Sequence, residues 1–109
     1  MSTVDPATGL EVLIKQPSES REYDLDFSNL LGEEELIKTV VSVTSQIMGK
    51  VSGSSNVNIV GYGVTSDRKK VRMRIEGGTD KEDYKITAQV DTYHNNRLEG
   101  EGILRVKDY

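Results

Sequence analysis

Asp24 and Asp26 are the first residues in this chain that could do chemistry, since two nearby carboxylates are what general acid–base work needs. They fall in the alternating run Glu22-Tyr23-Asp24-Leu25-Asp26-Phe27, so both sit on one strand face. Nothing in the sequence builds a cleft around them, and an outward polar face is the simpler expectation. The single histidine, His94, stands in His94-Asn95-Asn96-Arg97, a turn, and with no cysteine in the chain it cannot complete a zinc set. Asp80, Glu82 and Asp83 could gather around Ca²⁺, which takes about six to eight oxygens. Their spacing is not that of an EF-hand and Lys81 sits among them, so a solvated loop is expected. Serines and threonines are plentiful, but none lies in a nucleophile elbow, and the only histidine is in a turn. Gly61-Tyr62-Gly63 and Gly77-Gly78 lack the spacing and the strand-to-helix setting of a phosphate loop. The residues therefore predict no catalytic group, no metal ligand and no cofactor.

One basic stretch stands out: Arg68, Lys69, Lys70, Arg72 and Arg74. It alternates with Val71, Met73 and Ile75, so it reads mainly as the wet face of a strand. A second reading makes Arg72 and Arg74 a contact surface for an acidic partner subunit.

These residues must be positioned by strands. From Tyr84 the alternation is unbroken: Tyr84, Ile86, Ala88, Val90 and Thr92 fall on one face, and Lys85, Thr87, Gln89, Asp91 and Tyr93 on the other. The turn at 94–97 leads to a return strand with Leu104 and Val106 on one face, completing a hairpin between Gly77 and Val106. Earlier strands are expected at Leu10 to Lys15, Arg21 to Phe27, Leu36 to Met48, Asn56 to Val64 and Lys70 to Glu76. Thr39, Val41 and Val43 are assigned to one face, and Leu30 and Leu31 to the end of the core. Gly61 and Gly63 interrupt their strand, which marks a bulge or a close backbone approach. Six or seven short strands with turn signals about every ten residues indicate an all-β antiparallel sandwich of Ig-like type. The expected core is Phe27, Val41, Val43, Ile59, Val71, Met73, Ile75, Tyr84, Ile86, Val90, Leu104 and Val106.

The 109 residues suffice for one domain, here residues 10–109 behind a small, polar N-terminal arm at 1–9. The formal net charge of −4 argues against nucleic acid as a partner. Residues 1–20 hold no apolar segment of signal-peptide length, and no run is long enough to span a membrane. The expected place is the cytoplasm where the chain is made, or an assembly built there.

The opening Lys15-Gln16-Pro17, then Glu22-Tyr23-Asp24-Leu25-Asp26-Phe27-Ser28-Asn29-Leu30-Leu31-Gly32, resembles that of a family of small tailed-phage and prophage structural proteins. These are Ig-like domains described as fibre-tail adaptor or neck proteins. Their close resembles Gly77-Gly78, Tyr84-Lys85-Ile86-Thr87, Thr92 and Glu99 to Val106 here. The resemblance implies a non-enzymatic virion component, assembled in the host bacterial cytoplasm in multiple copies of a symmetric assembly. Its implied partners are neck, tail or fibre subunits, with no nucleic acid and no membrane. Val4, Pro6 and Leu10 of the arm and its junction, with Arg72 and Arg74, are the expected partner-binding residues. The alternative is a carbohydrate-binding or adhesive Ig-like module, with Tyr62, Tyr93 and Tyr109 as its stacking platforms.

Overall fold

A computed structural model describes residues 3–4 and 11–108, with side chains from residue 12 onward. The strands are β1 (Thr3–Val4), β2 (Glu11–Lys15), β3 (Arg21–Asp26), β4 (Ile37–Ile47), β5 (Val57–Val64), β6 (Lys70–Gly77), β7 (Asp83–Thr92) and β8 (Arg97–Val106). They form two sheets, one ordered β1-β2-β8-β7-β4 and the other β3-β6-β5. No helix occurs among the described residues. The chain is an all-β sandwich, antiparallel except where β2 runs parallel to β8.

Alternation in sequence becomes alternation in burial. In β7, Tyr84, Ile86, Ala88, Val90 and Thr92 are buried, and the residues between them are half-buried. β8 returns against it in unbroken register from Asp83↔Arg105 to Asp91↔Arg97. Asn95 turns the hairpin at φ 63, a conformation that asparagine tolerates better than most residues. Across the sandwich, Tyr23 and Leu25 of β3 and Val71, Met73 and Ile75 of β6 supply the facing apolar layer. Full burial stabilises each large aliphatic side chain by about 1.5–3 kcal/mol. Phe27 lies under Gly100, where an added Cβ would stand 2.6 Å from the ring. Gly78, at φ +103, leaves similar room for Val106.

Three assignments within the core change. Val41 is exposed at 38%, while Val43 and Ile59 are only partly buried against the cluster. β4 carries register shifts between Ile37 and Thr39 and again between Val40 and Ser42. Each bulge adds a residue and reverses the facing of the residues beyond it. Ile37, Val40 and Val43 therefore turn inward, three apart instead of two, and Val41 is put outside. Leu31 packs on the core, but Leu30 is half exposed. The suspected bulge in β5 is present, between Ile59 and Gly61.

At the N-terminus, Thr3 and Val4 pair with Val12 and Glu11, which adds β1 to the outside of the larger sheet. The side chain of Val4 lies outside the described residues, as do Pro6, Leu10 and Tyr109.

Candidate docking surface

The charged residues that could have done chemistry are engaged with the fold. Asp24 receives a bidentate pair from Arg72, Nε to Oδ1 at 2.9 Å and Nη2 to Oδ2 at 3.1 Å. Asp26 accepts from the Ser28 amide, and this bonding to Ser28 holds its carboxyl below the usual range. Asp24 and Asp26 share the outer face of β3 as expected, with Asp26 exposed. His94 is exposed in the β7–β8 turn, its Nδ1 4.0 Å from the Glu35 carboxylate.

The segment 80–83 is not the solvated loop its composition suggested, because Glu82 and Asp83 are buried. The Glu82 carboxylate accepts from the amides of Gly49, Lys50 and Val51, from the Ser54 hydroxyl at 2.7 Å, and from the Asp83 amide. Burial pushes this carboxyl up, but the five donors outweigh it and hold the group at about 2. Asp83 pairs with Lys50 at 2.7 Å and with Arg105 at 3.2 Å, and lies below the usual range although burial opposes this. The two carboxylates thus face protein donors and tie the β4–β5 loop to the start of β7. Among the described residues no cluster of ligand side chains could hold a metal ion.

Two further buried charges carried no signal in the sequence. Glu35 takes hydrogen bonds from the Gly32 amide at 2.8 Å and from Asn96 and Thr92 at 2.7 Å each. Those donors, the Gly32 amide foremost, hold its carboxyl at about 2. The bonds fix the 28–36 connection to the β7–β8 turn. Lys15 is fully buried, and its Nζ donates to the carbonyls of Gln16, Pro17 and Gly77. Its pKa is lowered by burial, against the opposing pull of Glu19 and Glu76. A third glutamate in Glu33-Glu34-Glu35 and a lysine at a strand end look like any solvated charge in the sequence.

What remains open is a surface on the smaller sheet. Arg72 and Arg74 point outward from β6, as the alternation required. Arg72 is held bidentately by Asp24, whereas Arg74 donates to the Ser20 carbonyl at 3.2 Å and meets a carboxylate, that of Glu22, at 3.7 Å. Beside them on β5, Gly61 pairs with Arg74 and Gly63 with Arg72. The missing side chains leave a trough of about 520 Å³ running from Glu22, Arg72 and Arg74 to Val60, Tyr62 and Ser66. Val60 and Tyr62 are exposed at 53% and 50%. Tyr93 is equally exposed, but the Arg68 guanidinium stacks on its ring at 5.6 Å.

A family model described as podophage GP4 fiber-tail adaptor protein gp77 matches residues 15–105. No curated protein matches the chain. The matched segment runs from the last residue of β2 through nearly all of β8, and so takes in both sheets and the trough. The chain belongs to the podophage fibre-tail adaptor family.

Proposed function

We propose that the chain is an Ig-like adaptor domain of the virion, joining fibre to tail by surface contact and without catalysis. The observation that carries this is the family match across both sheets. The Ig-like reading is supported by the strand order. β3-β6-β5 and β8-β7-β4 reproduce the B-E-D and G-F-C groupings of that sandwich. A tyrosine corner also supports it: Tyr84, at the start of β7, accepts from the Thr79 amide at 2.9 Å and donates to the Ser55 carbonyl. A non-catalytic role is consistent with the engagement of Glu35, Glu82 and Asp83 by protein donors within the fold.

On this reading several copies sit in a symmetric assembly on other virion proteins, without contacting nucleic acid. The partner contacts are the lead with Val4, Pro6 and Leu10 and the Arg72/Arg74 face. Particles assembled from a phage in which this reading frame is silenced test the proposal. Tails that lack fibres, restored by supplying the chain in trans, are the expected result. Fibres present at wild-type number would refute it.

A further inference from the structure

Gly61 borders the bulge of β5, whereas Gly63 has no such explanation within the chain. Neither Gly61 nor Gly63 has the positive φ that demands glycine. A Cβ added at either would meet nothing within 4 Å, so packing does not exclude a side chain. Both lie in an edge strand, since β5 ends its sheet beyond β6. Edge strands are ordinarily protected from other chains by charge. β3, the opposite edge, carries Arg21, Glu22, Asp24 and Asp26 in six residues. β5, Val57–Val64, has no charged residue at all, unlike every other strand longer than two residues. Its exposed Val60 and Tyr62 add apolar surface to an edge that carries a bulge but no charge. Away from bulges, a glycine inside a strand marks a tight bend or the close approach of another backbone or a ligand, which is the reading Gly63 supports.

We propose that the Val60–Val64 part of β5 is a docking edge to which another virion protein adds an extended segment as a further strand. The segment's chemistry is set by the two faces it would continue. Tyr62 pairs with the inward-facing Met73, so the incoming residues on that side lie beside an exposed tyrosine ring and are apolar. On the other side the nearest side chains belong to Arg72 and Arg74, because Gly61 and Gly63 contribute none. Two strand spacings, about 10 Å, separate β6 from an added strand. An arginine and a carboxylate can close that gap together only when no side chain stands between them. The incoming residues on this face are therefore acidic, with Arg74 the better placed guanidinium because, beyond its bond to the Ser20 carbonyl, it has no bidentate carboxylate partner as Arg72 has. The occupant is an extended segment that alternates apolar and acidic residues. A second copy's β5 fits poorly, since it has no carboxylate to offer.

The inference rests on the adaptor reading, and the test separates the two. A benzophenone amino acid replaces Tyr62 by amber suppression during phage growth, and the particles are irradiated and digested for mass spectrometry. The expected result is an adduct to a different virion protein, within a peptide that alternates apolar and acidic residues. An adduct only to a second copy, or no adduct from particles that contain the chain, overturns the docking edge. Absence of the chain from wild-type particles overturns the adaptor reading itself. An independent arm uses the double variant Gly61→Val/Gly63→Val, whose new methyl groups start from open space in the isolated domain. It should melt within a few degrees of the parent, yet enter particles at least about tenfold less when the two compete. Equal incorporation of a folded double variant also overturns the proposal.

Discussion

Glu82 is the residue on which most local order depends. Its two oxygens accept from four backbone amides and one hydroxyl. Glu82→Ala should cost on the order of 3 kcal/mol, because buried amides lose an ionised acceptor. For a domain of this size that corresponds to a fall in Tm of about 12–24 °C, measured by calorimetry. Glu82→Gln should retain part of the loss, since one of its two heads is a donor facing donors. Sequence could not single Glu82 out, because acidic residues in a polar loop are solvated far more often than buried. The same holds for Glu35 and Lys15, which also depend on partners in distant segments: Asn96 is 61 positions from Glu35, and Gly77 is 62 from Lys15. By contrast, Arg72 and Arg74 were legible as outward residues from alternation alone.

At the scale of elements, the strands that read correctly are those whose period of two is never broken. β3 from Glu22, β6 from Lys70 to Ile75 and β7 from Tyr84 alternate without a break, and their buried faces can be read directly from the residue types. β4 does not, and its two bulges moved Ile37, Val40 and Val43 inward without leaving any glycine or proline to announce them. The parallel pairing of β2 with β8 was equally silent, since register between distant strands is set by packing and not by local pattern. Ile86→Ala at the centre of β7 should cost about 2–5 kcal/mol in denaturant unfolding. Gly100→Val in β8 should cost about 1–3 kcal/mol, because the new side chain meets the Phe27 ring. By contrast, Val41→Thr should be nearly neutral, an outcome that separates the bulged register of β4 from an unbroken one.

For the molecule as a whole, pH acts through the carboxylates that staple loops to sheets. Glu35 and Glu82 lie at about 2 in the fold against 4.5 for the free side chain. Folded-state values lower than unfolded ones mean that their contribution is complete above about pH 4.5 and is lost as pH falls towards about 2. The Tm should therefore decline steeply across that window, and Glu82→Gln should flatten the decline. A parent Tm unchanged between pH 5 and pH 2.5 would contradict the buried, ionised glutamates. Tyr23 acts at the other end: burial raises its phenol to about 12, so its contribution is complete below about pH 10 and is lost as pH rises towards about 12. The central claim is that this domain lies between fibre and tail. Cryo-electron microscopy of the intact particle tests it most directly: density for the two sheets should lie at the fibre–tail junction and touch both neighbours. Density for the domain elsewhere in the particle, or touching only one of them, would contradict the account.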